Sequence, residues 1–351
     1  MYYGLRPLFP VWVRKHLQQL YLKGWEQIAF PVWPVDRTVD ALFEYLLLLS
    51  MRAADVDRVP FIWFWPEGAP SCAMMTHDVE TREGRDLCAS VMDIDDSFGI
   101  KASFQVVPEE RYEVTPSFLK SITNRGFGLA VQDLNHDGHL YTNRRQFIAR
   151  ARKINSYRRQ WGVEGFRSAI LYRNQEWFDD LEFSYDMSIP NVAHLDPQRG
   201  GCCTVMPYFI GKMLELPVTA TQDYTMFHVL GDYSLDLWKR QMGLIMEKNG
   251  LMSFIVHPDY LTTPREITVY KALLGELVRL REEQGVWVAT PDEISRWWRQ
   301  RAEMRVVKEG DAFRIEGPGS ERARLAYASE KDGRLVLALE SMSPERAIFQ
   351  P

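Results

Sequence analysis

From Ala73 to Ala289 the chain alternates short apolar runs with amphipathic stretches, and this rhythm constrains the fold more than any other feature. The strand-like runs are Ala73–Thr76, Ala102–Val107, Gly128–Val131, Gly165–Ser168, Leu214–Leu216, Leu251–Val256 and Gly285–Ala289. Helical patterns lie between them, among them Arg145–Trp161, Ser234–Lys248 and Pro264–Glu283. Strands joined through helices pair in parallel. Seven candidate strands favour a distorted parallel (β/α) barrel of about seven strands over an open sheet.

The flanks read differently. Residues 1–57 form an expected N-terminal helical extension, with Asp36 or Thr38 capping a helix through Val39–Met51. The barrel is expected over 58–304, entered through the proline-bounded aromatic segment Pro60-Phe61-Ile62-Trp63-Phe64-Trp65-Pro66. Its last helix starts at Thr290-Pro291-Asp292-Glu293, a cap, a first-turn proline and a capping-box glutamate. Residues 305–351 carry short strands at Val306-Val307, Ala312–Ile315, Ala323–Tyr327 and Arg334–Ala338, separated by glycine turns, and read as a small antiparallel β appendage.

Composition narrows the function classes. The net charge of -5 argues against a nucleic-acid partner recruited by bulk charge. Tyr45–Leu49 is too short to cross a bilayer, and Met1–Pro7 does not lead into a signal-peptide core. The four cysteines, Cys72, Cys88, Cys202 and Cys203, match no zinc framework, so a reducing, cytoplasmic setting without a membrane span is expected. Nothing in the pattern specifies an oligomer.

The chemistry-bearing residues stand where these strands end. Met75-Thr76-His77-Asp78-Val79-Glu80-Thr81 closes one apolar run, and alternation sends Asp78 and Glu80 to the same face. Gln132-Asp133-Leu134-Asn135-His136-Asp137-Gly138-His139 follows Gly128–Val131. Gly165-Phe166-Arg167-Ser168 and Phe254-Ile255-Val256-His257-Pro258-Asp259-Tyr260 close two more. In parallel barrels the C-terminal strand ends build the active face. Taken singly, each stretch also reads as an ordinary polar turn.

In order and spacing these motifs resemble the polysaccharide deacetylase-like superfamily of carbohydrate esterases, over residues from about 20 to about 300. More narrowly they resemble a bacterial branch with the Thr76-His77-Asp78-Val79-Glu80 and Asn135-His136-Asp137-Gly138 landmarks, flanked by Val59–Pro66 and Gly200-Gly201-Cys202-Cys203. The resemblance implies metal-dependent hydrolysis of an N-acetyl or O-acetyl group on a sugar or polysaccharide precursor. It places Asp78 as general base, His257 as general acid and Arg167 as the residue that orients the base. Glu80 and His136 fall at metal-binding positions. Asp186, with Tyr185 beside it, and Asp137 fall where the substrate cleft is lined.

One divalent ion is implied, zinc foremost, with cobalt or nickel as alternatives, because imidazole and carboxylate suit all three. The pattern breaks at position 132, where Gln132 replaces the first histidine of a metal-binding pair. The Arg-x-Pro element is Arg167-Ser168-Ala169 here. Three accounts follow. His139 or His194 completes the site, or Gln132 serves as a weak ligand, or the chain is a catalytically impaired relative that binds glycan or a partner.

Overall fold

The computed structural model describes residues 17, 18, 20–310 and 312–340. The expectations for 1–16 and 341–351 lie outside the described residues. In chain order the elements are α1 (Thr38–Ala53), β1 (Arg58–Ile62), β2 (Cys72–Val79), α2 (Arg82–Ser97), β3 (Ser103–Val106), α3 (Pro116–Thr123), β4 (Gly128–Gln132), α4 (Arg144–Trp161) and β5 (Gly165–Arg167). They continue with β6 (Tyr185–Asp186), β7 (Tyr208–Ile210), β8 (Met213–Glu215), α5 (Asp236–Met246), β9 (Leu251–Ile255), α6 (Pro264–Gln284), β10 (Trp287–Val288) and α7 (Pro291–Glu303). The C-terminal strands are β11 (Arg305–Glu309), β12 (Ala312–Glu316), β13 (Leu325–Lys331) and β14 (Arg334–Leu339).

Parallel pairing runs β2-β3-β4-β5-β6-β8, with β9 along the other side of β2, β10 against its start, and β7 antiparallel on β8. The sheet curls far enough for the chain after β8 to reach β9, where Ala220 N donates to Ser253 O over 3.2 Å. The expected distorted (β/α) barrel is therefore present. All seven predicted strands fall on β2, β3, β4, β5, β8, β9 and β10; the two-residue β6 and the short β7 carry too little pattern to be read.

Alternation divides the core in two. Met74, Ala130, Tyr185, Met187, Leu214 and Leu216 fill the barrel interior with Trp297 and Trp298 of α7 beneath, while Phe104, Val106, Val131 and Phe166 pack outward against the helices. Gly165 is required for this interior: a Cβ there would stand 2.4 Å from the Tyr185 ring. The remaining antiparallel strands form two sheets, β1-β13-β14 and β11-β12, so the aromatic segment entering the barrel pairs through β1 with β13. Among the described residues no helix is long and apolar enough to cross a membrane.

Candidate active site

All eight residues of β2 are buried, and their alternation sorts the motif. Thr76 and Asp78 face the interior, where Arg167 at the tip of β5 donates from Nη1 to Asp78 Oδ1 (2.6 Å) and to Thr76 Oγ1 (2.8 Å). Arg167 Nε is anchored on Met187 O at 3.0 Å, so the guanidinium is fixed by β2 across the barrel and by the residue just past β6. His77 points the other way. Its Nδ1 lies 2.9 Å from Val256 O and its Nε2 3.1 Å from Asp95 Oδ2, with Tyr270 alongside. It ties β2 to the strand that carries His257 and to α2. Thr81, just past the strand, caps α2 through Gly84 N and donates to Asp259 Oδ2 at 2.9 Å, joining the two motif loops.

Glu80 is the hub. Its Oε1 lies 2.7 Å from His136 Nε2 and 3.5 Å from His257 Nε2, and accepts from Gln132 Nε2 at 3.1 Å. Asp78, Glu80 and His257 each offer a donor atom, all within 4.8 Å of one another. His136 joins through Glu80 from a loop in which Asp133 and His136 both adopt positive φ, a backbone uncommon for residues other than glycine. Its Nε2 is close to Glu80 but lacks hydrogen-bond alignment, and it is buried without a hydrogen-bond partner, as is Gln132 Oε1.

Electrostatics follow from this packing. Burial pushes the Glu80 carboxyl upward, but His136 and then His257 overcome it and hold Glu80 well below the usual carboxylate range. Burial likewise opposes charge on both imidazoles, yet Glu80 raises His136, and Asp223 with Glu80 raises His257 well above an ordinary histidine. Asp223 is a site residue that no motif flagged. Its Oδ1 accepts from His257 Nδ1 and its Oδ2 from His257 N, both at 2.7 Å, leaving Nε2 aimed at Glu80. Tyr260, 4.7 Å from the His257 ring, continues through His228 and Tyr224 into an aromatic wall.

A divalent cation suits this donor set. Asp78, Glu80 and His257 converge at strand ends, His136 Nε2 lies 2.7 Å from Glu80 Oε1, His257 is oriented by a carboxylate behind it, and Gln132 Oε1 is buried without a hydrogen-bond partner.

The structure thus brings together Asp78, Glu80, Gln132, His136, Arg167 and His257, and leaves five other candidates elsewhere. His139 is exposed, its backbone N–H bonded to Asp137. Asp137 is gripped by both Arg150 nitrogens at 2.6 Å, and that bond lowers its carboxyl to about 2. Tyr185 plugs the barrel interior and donates to Asp292 over 3.0 Å. His194, the alternative ligand, is buried against Pro31 O.

Asp186 lies on the outer face, because one position along a strand reverses the side chain. There it hydrogen-bonds with Glu215, its register partner on β8, and accepts from Ser188 Oγ at 2.7 Å. Burial, reinforced by Asp186, drives the Glu215 carboxyl well above the usual range. A raised folded-state pKa contributes stability at low pH that is lost as pH rises through it. Glu215→Gln, which keeps a donor and removes the titration, should therefore gain steadily on wild type in thermal melts taken from about pH 5 to about pH 9. A gain independent of pH would rule out the raised Glu215 carboxyl.

No protein-family model and no curated protein matches the sequence. Solved structures do. A protein from Mycobacterium smegmatis assigned as a polysaccharide deacetylase superposes with a TM-score of 0.55 at 17% identity, covering 72% of this chain and 98% of that one. Puue allantoinase gives 0.54 at 12% identity, covering 67% and 92%. A Pseudomonas aeruginosa protein assigned as a polysaccharide deacetylase gives 0.52 at 12%, with the same coverage. At these identities the likeness is one of architecture, and the chain is built on the fold of the polysaccharide deacetylases.

Proposed function

We propose that the protein is a hydrolase that removes an acetyl group, N-linked in the first instance, from a sugar or polysaccharide precursor. The observation that carries this reading is the convergence of Asp78, Glu80 and His257 within 4.8 Å at strand ends of this fold. Arg167 holds Asp78 by Oδ1, and Oδ2, which accepts from Gln132 Nε2 at 3.2 Å, keeps a lone pair to take a proton from water. His257, braced by Asp223, stands across Glu80 and delivers a proton to the departing nitrogen from Nε2. Glu80 and His136 would hold a divalent cation. Such an ion polarises the acetyl carbonyl and eases deprotonation of water.

A second reading has its own observation. Gln132 stands where an imidazole is expected and donates to both carboxylates, which favours a binder that has given up turnover. Acetate release separates the two. Incubation with N-acetylated and O-acetylated sugars, oligosaccharides and nucleotide-sugars, with added zinc, cobalt or nickel and with chelator, should give cation-dependent acetate for at least one substrate. Saturable glycan binding with no acetate under any condition would leave the binder.

A further inference from the structure

The acidic pair at the tip of β2 is bridged by an amide. Gln132 Nε2 donates to Asp78 Oδ2 at 3.2 Å and to Glu80 Oε1 at 3.1 Å, a position between two negative charges that a cation would otherwise take. The other arm of the same amide, Oε1, is fully buried and has no hydrogen-bond partner. A buried carbonyl left unpaired costs about 1–3 kcal/mol, so the present orientation is held by the carboxylates and opposed by the oxygen. The last torsion of glutamine is broad and roughly two-fold, and the amide's oxygen and nitrogen arms are nearly alike in shape, so a half-turn needs no movement of the backbone.

We propose that Gln132 is a two-position amide. In the ion-free protein its NH2 clamps Asp78 and Glu80; when a divalent cation binds beside Glu80 and His136, the amide turns and gives Oε1 to the ion. One residue thus keeps two carboxylates together without metal and completes the ligand set with it. A neutral amide oxygen in place of an imidazole nitrogen makes the set harder, so zinc loses more affinity than manganese relative to a histidine-bearing site. The inference rests on the hydrolase reading only for the identity of the site, because ion binding is measured without turnover.

The test is calorimetric titration of chelator-stripped protein with zinc and with manganese, for wild type, Gln132→His and Gln132→Leu. In parallel, the Gln132 side-chain amide resonances, identified by their loss in Gln132→Leu, are followed during zinc addition to wild type. A turning, ligating amide requires zinc to bind Gln132→Leu at least about tenfold more weakly than wild type. Gln132→His should bind zinc at least about tenfold more tightly, with a smaller gain for manganese. The amide resonances should shift on zinc addition. Leucine binding zinc as well as or better than glutamine, amide resonances indifferent to zinc, or no zinc binding by wild type would each overturn the proposal. If Gln132→Leu does not fold, the resonance shift relative to Gln132→His decides alone. Zinc-driven turning in a protein that releases no acetate would sink the hydrolase reading and keep this one.

Discussion

Asp78→Asn should reduce acetate release by about a thousandfold or more, the scale of losing a positioned base. Asp78 is 4% exposed and its Oδ1 is the ionic partner of Arg167, itself fully buried. Asparagine keeps an oxygen for the guanidinium but no negative charge, so one positive charge stays buried and uncompensated. That penalty is on the order of 3–5 kcal/mol when a partner is removed outright, and a melting-temperature drop must be separated from the catalytic loss. The double variant Asp78→Asn, Arg167→Met removes both charges. It should melt above the single variant and still release no acetate. An Asp78→Asn protein that turns over at the wild-type rate would remove Asp78 from the base role, whatever its stability.

How the site assembles explains which parts of it the sequence discloses. Asp78 and Glu80 are legible because strand alternation places residues two apart on one face, and β2 obeys it through its whole length. The same rule separates His77 from them, and the structure puts that ring on Val256 and Asp95 behind the sheet. For Asp186 the rule was outweighed by resemblance: β6 spans two residues, Tyr185–Asp186, too short for alternation to be read, and the acid turns outward to Glu215. Asp223 was illegible for a different reason. It sits in no strand, 34 residues before its partner, and its role exists only because the chain after β8 crosses to the end of β9. Only the order Thr221-Gln222-Asp223 ahead of a helical turn marks it, and many caps look the same.

The appendage shows the complementary limit. Its strands were visible as short β-rich runs between glycine turns, and β11 to β14 fall on them. Their partners were not. β13 takes β1 as well as β14, pairing Arg58 with Ser329 through Ile62 with Leu325, a contact between segments some 270 residues apart. Local pattern names a strand, while the edge it joins depends on which apolar faces remain uncovered once the barrel has closed.

Asp223→Asn carries the second large effect. The carboxylate accepts three bonds, from His257 Nδ1, His257 N and Tyr224 N, at 2.7 Å each. An amide brings one oxygen and two donors. Whichever way it lies, either a backbone N–H loses its acceptor or His257 Nδ1 meets a donor and must present a lone pair. A ring with its only proton on Nε2 is no longer the doubly protonated acid that the departing nitrogen needs. The expected fall in kcat is about 10²–10⁴-fold, the range that a positioned general acid contributes. KM should barely change, because Asp223 is fully buried behind the ring. His257→Gln should fall at least as far, and the double variant no further than His257→Gln alone, since both changes strike one function. Multiplying effects in the double variant would mean that Asp223 works through something other than His257.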